Sequence, residues 1–581
     1  MRQGFFILLF SFISLTVSAA QIADSVEPEQ SSGFIKKPAE TAKEFMVAAA
    51  HPLAVQAGFD VLKQGGTAID ALVAVQAMLG LVEPQSSGLG GGAFVVYYDA
   101  KQNKLTTFDG RETAPLAVTT ELFLDKQGQA LSFYDAVVGG LSVGTPGTVK
   151  LMGVLHHRYG QLAWQQLLEP SIQQAEQGFL VSDRLASAIE DDQARLTRYP
   201  DTRAYFFDTQ GTPLKAGSRL KNPAYAETLR LIADQGADAF YAGKIAQDIV
   251  NSVQNAEGNP GRLSLLDLAA YQVTERPVVC APYLAYQVCG MGAPSSGALT
   301  VGQILGMVSH FDLKGWGADH VLSYQVIADA SRLAFADRGR YMADSDFVPM
   351  PSGLLDADYL ASRAQQIEPG KALKEVTPGE PQWALTQGVA YADDQSIEFP
   401  STTHVVIVDK SGNVVSMTST IENGFGARLM SNGFLLNNEL TDFSFVAHDK
   451  GTPVANRVEP GKRPRSSMAP TIVMKDDKPY LAIGSPGGSR IIGYVAGALI
   501  DHLTWEIPID EALARPHFNN RFGVFDLEAG TSAVSYQTQL EAMGYSVGIK
   551  ELNSGIQAIK IEPGLLTGAA DPRREGIVMG Q

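Results

Sequence analysis

Two threonines, Thr402 and Thr420, carry the clearest chemical pattern in the chain. The segment "FPSTTHVVIVDKSGNVVSMTST" passes from an aperiodic stretch directly into two runs typical of β-strands. A three-residue hairpin loop at 410–412 would place Gly412 in the left-handed conformation that such loops need, and Thr402 would then face Thr420. Facing side chains of an antiparallel pair lie about 4.5–5.5 Å apart at Cβ, within reach of a hydroxyl contact. A one-residue slip in the register would break this pairing. The alternative is that both residues are ordinary strand threonines without a catalytic role.

Two downstream segments add hydroxyl groups and backbone donors. "RPRSSMAPT" places Ser466 and Ser467 in a turn-like stretch before a strand. "AIGSPGGSRIIGY" ends a strand and presents Gly487 and Gly488 before a helix whose predicted cap is Ser489. Successive glycine N–H groups at a helix N-terminus can cradle an anion or stabilise an oxyanion. A tight strand-to-helix turn without a catalytic role would need the same glycines.

The sequence shows no pattern typical of a cofactor or metal site. "GLGGG" at 88–92 lacks the spacing and the acidic residue of a dinucleotide-binding fingerprint, and the chain has no P-loop motif. His156 and His157 are adjacent, so on a helix they project from different faces and are poorly placed to bind one metal ion together. We therefore expect no cofactor and no metal.

The composition is that of a folded, acidic protein. The chain has 581 residues, of which 45% are hydrophobic and 18% charged, and its formal net charge is −17. These values exclude an intrinsically disordered chain, which combines low hydrophobicity with high net charge. A nucleic acid is not expected as a partner, because phosphate binding needs a surface rich in Lys and Arg.

The first twenty residues form a separate segment. Arg2 is their only charge, residues 5–17 are almost wholly apolar, and the segment ends in small residues. This pattern predicts a signal peptide, 1–20, and hence a periplasmic or secreted protein. The apolar stretch is short for a membrane span, so an uncleaved anchor is the alternative.

The chain has two cysteines, Cys280 and Cys289, within one short run. "VVCAPYLAYQVC" reads as two strands around a turn that holds Pro282. Facing Cα atoms of a hairpin lie about 4.5–5.5 Å apart, which suits a disulfide, and export favours oxidation. We predict a disulfide, with two free thiols as the alternative.

The surrounding elements follow from hydrophobic periodicity. Helices are predicted at 52–64, from Thr67 to Leu81 and at 320–340, and strands at 95–98 and 105–108. Residues 367–400 lack periodicity, and the chain after them is rich in strands. Because strand blocks and helix blocks are segregated, the pattern favours stacked sheets and helices over a βαβ fold.

Together these segments resemble the gamma-glutamyltranspeptidase family of N-terminal nucleophile hydrolases. The likeness covers nearly the whole chain after the leader. It runs through "HPLAVQAGFDVLKQGGTAIDALVA", "EPQSSGLGGGAF", "FDGRETAP", "SVGTPG", "LAFADRGRYM", "TTH", "LLNNELTDFS", "RPRSSM", "GSPGGSR" and "ADPRREG". Many long matches in this order make the resemblance specific.

The resemblance implies an α+β fold, a four-layer αββα sandwich formed by two subunits cut from one precursor. The chain would cleave itself between Ser401 and Thr402 into a large subunit, 21–401, and a small subunit, 402–581, which stay together as a heterodimer. Residues 367–401, here called the arm, would be the flexible end of the large subunit. The Thr402 hydroxyl would be the nucleophile, supported by Thr420, with its own α-amine, of pKa about 7.7–8.0, as the base.

The resemblance also implies a γ-glutamyl substrate such as glutathione. Thr402 would form a γ-glutamyl ester, which passes to water or to the amine of an amino acid or peptide. The implied binding residues are Arg111, Ser466 and Ser467 for the α-carboxylate, Glu422, Glu439 and Asp442 for the α-amine, and Gly487 and Gly488 for the oxyanion.

Two other functions are consistent with parts of the sequence. A cephalosporin acylase would share the fold and cleave a glutaryl side chain that has no α-amine, which would leave Glu422, Glu439 and Asp442 without an ammonium partner. A non-catalytic exported binding protein would have no need of Thr402 and Thr420.

The segment between Asp442 and Ser466 looks shorter than the lid of well-known family members. Residues 443–465 contain neither Tyr nor Trp, and most of the segment is polar. We therefore expect an uncovered site. Arg465 should add a cation at its rim.

Overall fold

The computed structural model describes residue 29 and residues 31–384, 388–394, 396 and 398–581, so the predicted leader, 1–20, lies outside the described residues. The helices are Pro52–Lys63, Ala68–Val82, Phe133–Val137, Thr148–Tyr159, Trp164–Gln177, Asp183–Asp191, Gln193–Leu196, Pro200–Phe206, Pro223–Gln235, Gly243–Gln254, Leu265–Ala270, Gly297–Val308, Leu313–Trp316, Val321–Tyr341, Ala357–Ala364, Ile491–Thr504, Ile509–Ala514 and Gln537–Met543. Single 3₁₀ turns lie at Gly140–Ser142, Ala237–Phe240, Glu439–Asp442, Gly488–Arg490 and Ser532–Tyr536.

The strands follow in chain order. They are β1 (Glu40–Ala42), β2 (Met46–Ala49), β3 (Gly92–Asp99), β4 (Lys104–Gly110), β5 (Phe179–Leu180), β6 (Arg219–Leu220), β7 (Thr274–Arg276), β8 (Val278–Tyr283), β9 (Tyr286–Met291), β10 (Thr403–Val408), β11 (Val414–Thr420), β12 (Met430–Ser431), β13 (Phe434–Leu435), β14 (His448–Asp449), β15 (Thr452–Pro453), β16 (Thr471–Lys475), β17 (Lys478–Gly484), β18 (Phe518–Asn519), β19 (Val524–Glu528), β20 (Ser546–Lys550), β21 (Gln557–Glu562), β22 (Leu565–Ala570) and β23 (Ile577–Gly580).

Two large sheets stack face to face between helices. In the described chain one sheet has the order β1-β22-β21-β17-β16-β9-β8 and the other the order β23-β2-β10-β11-β3-β4-β7. A core of side chains such as Ala48, Val406 and Ile472 lies between the sheets. This arrangement is a four-layer αββα sandwich, so the predicted layer order is confirmed.

The side chains of each central strand point alternately toward the other sheet and toward an outer layer of helices. Val405 and Ile407 of β10 point away from the other sheet and pack with the helices of the first half of the chain, such as Ala68–Val82. That helix is apolar nearly all round and buried throughout, as its sequence predicts. On the opposite side the helices Val321–Tyr341 and Ile491–Thr504 cover the other sheet.

The predicted hairpin between the two threonines forms with the expected register. β10 pairs antiparallel with β11, and Thr403 lies opposite Ser419, so the next position along places Thr402 opposite Thr420. The backbone N–H of Asp409 donates to the carbonyl of Asn413 at 3.0 Å. Gly412 has φ 83°, the left-handed conformation that the three-residue loop needs.

The cysteine hairpin is also confirmed. Cys280 of β8 lies opposite Cys289 of β9, and a disulfide joins them across a Cα–Cα distance of 4.0 Å. The expected turn differs in one detail: Pro282 belongs to β8, and the turn itself is formed by residues 284–285. The bridge therefore ties together two neighbouring strands at the edge of a sheet.

The long helices are close to their predicted bounds. Thr67 caps Ala68–Val82 through a reciprocal capping box with Asp70, and His320 caps Val321–Tyr341. Within the described residues no helix is both long and apolar enough to cross a membrane.

Candidate active site

The two facing threonines lie beside the peptide bond between Ser401 and Thr402. Thr402 directly precedes β10, and Thr420 is the last residue of β11. The hydroxyls of Thr402 and Thr420 both donate to the Ser401 carbonyl oxygen, at 2.5 and 2.8 Å. The N–H of Glu422 donates to the Thr420 hydroxyl at 2.9 Å, which fixes that hydroxyl. The arrangement puts an attacking hydroxyl and a donor for the developing oxyanion at one carbonyl group.

The glycine pair lies against the arm. Gly487 and Gly488 follow β17 with φ of 135° and 58°, values that strongly favour glycine. A Cβ atom on Gly488 would lie 2.7 Å from the carbonyl oxygen of Phe399, so only glycine lets the arm backbone pass here. The glycine loop therefore adjoins the chain just before the Ser401–Thr402 bond.

The predicted cap at Ser489 is wrong. The chain makes a 3₁₀ turn at Gly488–Arg490 before the helix Ile491–Thr504 begins, so Arg490 occupies the cap position. The Ser489 hydroxyl instead accepts a hydrogen bond from the Arg521 guanidinium at 2.6 Å.

Arg111 lies just after β4, and its side chain is buried. Its guanidinium forms ion pairs with Glu439 and Asp442 of the 3₁₀ turn. It also donates to the carbonyl oxygens of Pro464, at 3.2 Å, and Arg465, at 2.9 Å. Arg111 thereby joins the end of β4 to both segments that carry the other predicted binding residues.

Four buried carboxyl groups form one cluster with Arg111: Glu112, Glu422, Glu439 and Asp442. Burial raises the pKa of Glu422, and the carboxylates of Asp442 and Glu439 raise it further. Burial likewise raises the pKa of Asp442 and of Glu439, although the Arg111 guanidinium offsets part of the effect. The pKa of Glu112 is raised by burial and by Glu439. Four carboxyl groups share one guanidinium, so a positively charged ligand would stabilise their ionised forms and is favoured here.

The paired serines have different surroundings. Ser296 donates to the carbonyl oxygen of Ser466 from its N–H at 2.8 Å and from its hydroxyl at 2.7 Å. The Ser467 hydroxyl donates to the Glu398 carboxylate at 2.5 Å and accepts from the Arg338 guanidinium at 2.7 Å. Ser467 is therefore already in contact with a carboxylate, and this carboxylate comes from the arm.

Two arginines neutralise the arm where it crosses the site. Glu398 pairs with Arg338, and Arg465 lies 3.6 Å from the same carboxylate oxygen and 2.7 Å from Asp394. Burial raises the pKa of Glu398, but Arg338 and Arg465 lower it to about 2. Arg465 is 2% exposed, so the prediction of a cation at the rim is wrong for the uncut chain, because the arm covers this side chain.

A cleft brings the predicted residues together. It is lined by Arg111, Glu398, Phe399, Ser401, Thr402, Thr420, Glu422, Glu439, Asp442, Ser466, Ser467, Met468, Gly488 and Ile491. Of the predicted site residues only Gly487 is outside this lining, and it directly precedes Gly488. In the described chain no group of His, Cys, Asp and Glu side chains is arranged to hold a metal ion.

Arg338 and Glu398 were not among the residues predicted for the site. Arg338 lies in "LAFADRGRYM", a segment that carried the family resemblance, but its partners Glu398 and Ser467 are 60 and 129 positions away. The arm showed only an absence of periodicity. An arginine within the predicted helix 320–340 was the only clue in the sequence, and it does not identify a partner.

Comparison with known proteins gives one consistent result. The family profile described as gamma-glutamyltranspeptidase matches residues 54–581. The chain is 37% identical to a glutathione hydrolase proenzyme of Bacillus subtilis, covering 100% of this chain and 99% of the relative. It is 38% identical to the glutathione hydrolase proenzyme of Escherichia coli, covering 92% of this chain and 91% of the relative.

A solved structure supports the fold over the same length. The crystal structure of cephalosporin acylase from Bacillus halodurans matches with a TM-score of 0.81 at 25% identity, covering 96% of this chain and 99% of that one.

Proposed function

The chain belongs to the gamma-glutamyltranspeptidase family, and from this we propose that it is an exported glutathione hydrolase and gamma-glutamyltransferase with a threonine nucleophile. One observation carries the proposal. The hydroxyls of Thr402 and Thr420 both donate hydrogen bonds to the Ser401 carbonyl oxygen, beside a cluster of buried carboxyl groups.

The first reaction is cleavage of the chain itself. The Thr402 hydroxyl attacks the Ser401 carbonyl carbon, the C–N bond breaks, and the acyl group moves to the threonine oxygen as an ester. Thr420 donates to the carbonyl oxygen as negative charge develops there. Water then hydrolyses the ester and leaves Thr402 with a free α-amine.

The second reaction uses the new N-terminus on a γ-glutamyl donor. The α-amine of Thr402 accepts the hydroxyl proton, and the oxygen attacks the γ-carbonyl of glutathione. The amine of the leaving group departs with a proton, and the γ-glutamyl ester of Thr402 remains. Water converts this ester to glutamate, whereas an amino acid or peptide amine converts it to a new γ-glutamyl amide. Gly487 and Gly488 stabilise the oxyanion with backbone N–H groups.

The head group of the donor fits the charges of the cleft. Its ammonium group pairs with Glu422, Glu439 and Asp442, whose pKa values are raised by burial and which an ammonium would stabilise in the ionised form. Its carboxylate is held by Arg111, Ser466 and Ser467. A glutaryl side chain has no ammonium, so this cluster favours the γ-glutamyl function over the acylase function.

The subunits follow from the cleavage position. The leader, 1–20, directs export of the chain to the periplasm or the medium and is then removed. The product is a heterodimer of a large subunit, 21–401, and a small subunit, 402–581, which needs neither a cofactor nor a metal.

A gel and a donor assay test the proposal together. Purified wild-type protein should split into two chains, and the small one should begin at Thr402. Thr402→Ala should stay whole because the attacking oxygen is gone, whereas Thr402→Ser keeps an oxygen and should still split. The split wild-type protein should release glutamate from a γ-glutamyl anilide.

Each alternative predicts a different result. Cleavage of Thr402→Ala before residue 402 would contradict the intramolecular step. A cut enzyme that releases glutarate from a glutaryl anilide, and leaves the γ-glutamyl anilide intact, would identify an acylase. A wild-type chain that stays whole and inactive would identify a binding protein.

A further inference from the structure

We infer that residues 83–86, here called the anchor segment, hold the Ser401–Thr402 bond in position for self-cleavage. Within this segment Glu83 is a positioning residue that acts through the Thr403 hydroxyl. This role rests on the proposed function, because it concerns the self-cleavage step, and it adds to that step residues from the first half of the chain.

Two hydrogen bonds join the anchor segment to the residues that flank Thr402. The Ser401 hydroxyl donates to the carbonyl oxygen of Gln85 at 2.8 Å. The Thr403 hydroxyl donates to the Glu83 carboxylate at 3.0 Å. Ser401 and Thr403 are both buried. The bond to be cut is therefore fixed through the residue before Thr402 and through the residue after it.

The anchor segment also contacts the strand end that carries Thr420. The N–H of Ile421 donates to the carbonyl oxygen of Ser86 at 3.3 Å. The Thr420 hydroxyl in turn donates to the Ser401 carbonyl oxygen at 2.8 Å. The same four residues thus set the position of the scissile carbonyl group relative to the hydroxyl that stabilises its oxyanion.

Strand pairing alone leaves the bond without this support. β10 begins at Thr403, whose partner in β11 is Ser419, and Thr402 precedes the paired residues. The peptide group before Thr402 therefore lies outside the hydrogen-bonded ladder. Side-chain contacts must fix it, and the anchor segment supplies two of them.

The end of a buried helix places Glu83 at this point. The helix Ala68–Val82 packs against the outer face of β10, the face that carries Val405. Thr403 lies on the same face, because it is two residues away along the strand. Glu83 is the C-cap residue of the helix, and its N–H donates to the carbonyl oxygen of Leu79 at 2.8 Å.

Buried arginines orient the Glu83 carboxylate. One of its oxygens pairs with Arg184, which also donates to the Ser86 hydroxyl at 2.9 Å, and the other accepts from the Thr403 hydroxyl. Glu29 pairs with both Arg184 and Arg574, so two carboxylates and two guanidinium groups balance. Burial raises the pKa of Glu83, and the two guanidinium groups offset part of this effect. The acceptor for Thr403 is thereby held in one orientation.

Positioning of this kind affects the rate of attack. The Thr402 oxygen must approach the Ser401 carbonyl carbon, and an error of about 1 Å between reacting atoms can cost about 100-fold in rate. Loss of the Thr403 anchor would let the peptide group tilt away from Thr420. Self-cleavage should then slow even though both hydroxyls remain present.

Thr403→Val tests the anchor, because it removes the hydroxyl and keeps the shape of the side chain. Chains are made by cell-free synthesis, and their cleavage before Thr402 is followed on a gel. The first-order rate should fall about tenfold or more in Thr403→Val. Thr403→Ser keeps a hydroxyl and should cleave within about threefold of the wild-type rate.

Thr107→Val is the matched control. Thr107 lies in β4 of the same sheet, is as buried as Thr403, and donates from its hydroxyl to the carbonyl oxygen of Arg276 at 2.7 Å. The control variant loses one buried hydrogen bond outside the anchor segment and should cleave at the wild-type rate. Thermal unfolding of each variant in the Thr402→Ala chain measures its effect on the fold. Equal slowing of Thr107→Val and Thr403→Val would mean that Thr403 only supports the fold.

A double-mutant cycle tests whether Glu83 acts through Thr403. Glu83→Gln replaces the charged acceptor and should also slow self-cleavage by about tenfold. If the two residues act as one pair, the double variant should be within about threefold of the slower single variant. Rate losses that multiply in the double variant would contradict action through the Thr403 hydroxyl.

The wild-type result separates this role from the proposed function. A wild-type chain that is never cut before Thr402 would contradict the proposed function and this role with it. A wild-type chain that is cut, together with Thr403→Val cut at the same rate, would contradict the role of the anchor segment alone.

Discussion

Arg111 illustrates how one residue can serve both the fold and the site. Its guanidinium donates to two carboxylates and two backbone carbonyls, and a planar fork of donors is needed to reach all of them.

Arg111→Lys should therefore raise KM for a γ-glutamyl donor by about tenfold or more, because the ammonium of lysine keeps the charge and loses the fork. Self-cleavage should persist, since Thr402 and Thr420 are untouched. Steady-state kinetics on the cleaved variant measures the effect. A KM equal to that of the wild type would remove Arg111 from the binding site.

The acidic cluster predicts a proton release on binding. Burial raises the pKa of Glu422, Glu439 and Asp442, so these carboxyl groups hold their protons to a higher pH than exposed carboxyl groups do. An ammonium group lowers these pKa values, so binding of L-glutamate should expel protons. Calorimetry at pH 7 in two buffers of different ionisation enthalpy measures their number.

Glu422→Gln provides the comparison for this experiment. The variant has one titrating group fewer and should release fewer protons than the wild type. Binding that takes up protons, or that shows no buffer dependence, would contradict this account of the cluster.

At the scale of elements, the β10–β11 hairpin was the part of the site that the sequence predicted best. Residues 401–420 are close together in the chain, so the loop glycine and the alternation of apolar residues determine the register. The helices near Thr67 and His320 were accessible for the same reason, because caps and periodicity act within one turn.

Contacts between residues far apart in the chain could not be predicted from the sequence. The pairing of Arg338 with Glu398 and the burial of Arg465 depend on how the arm crosses the cleft. No local pattern encodes that path. The 3₁₀ turn that displaces the cap from Ser489 to Arg490 was missed because the glycine loop sets the entry angle of the helix.

Two glycine variants should change stability in opposite directions. Gly412→Ala places a Cβ at φ 83° and should cost about 1 kcal/mol. Gly497→Ala lies inside the helix Ile491–Thr504 with no atom within 4 Å of the new Cβ, and should gain about 1 kcal/mol. Thermal unfolding of the Thr402→Ala chain measures both shifts. A higher Tm for Gly412→Ala would contradict the loop conformation.

The segment Phe443–Arg465 packs beside the cleft. Phe443 and Val458 are buried against Phe123 and its neighbours, and the Phe445 ring stacks on Phe123 at 4.5 Å between centroids. No residue of this segment is among those lining the cleft, whereas Glu398, Phe399 and Ser401 of the arm are. The cover of the site in the uncut chain is thus the arm.

The cleaved enzyme should accordingly accept bulky donors and show appreciable hydrolysis beside transfer. We expect similar kcat/KM values for glutathione and for a longer γ-glutamyl peptide. A steep fall with donor size would show that another loop closes the site after cleavage.

At the scale of the whole molecule, strands from both proposed subunits, 21–401 and 402–581, contribute to each large sheet. β22 of the small part pairs with β1 of the large part, and β9 pairs with β16. In the other sheet β2 lies between β23 and β10, and β11 pairs with β3. Each part alone would leave strand edges and apolar faces without partners.

Refolding should therefore depend on concentration only after cleavage. The denatured Thr402→Ala chain, with its disulfide intact, should recover the same native fraction at all dilutions, because its pairing is intramolecular. The cleaved enzyme should recover less as it is diluted. Circular dichroism across a dilution series measures both, and equal recovery of the two proteins would contradict this reading.

The shared sheets also require that folding precede cleavage. The Ser401–Thr402 bond holds the two halves at a high effective concentration while the ladders form, and only the completed ladders bring Thr420 to that bond. The proposed cleavage would remove this bond only after the sheets have formed. We therefore expect the two-chain enzyme to persist through slow unfolding and to be difficult to rebuild from its separated chains.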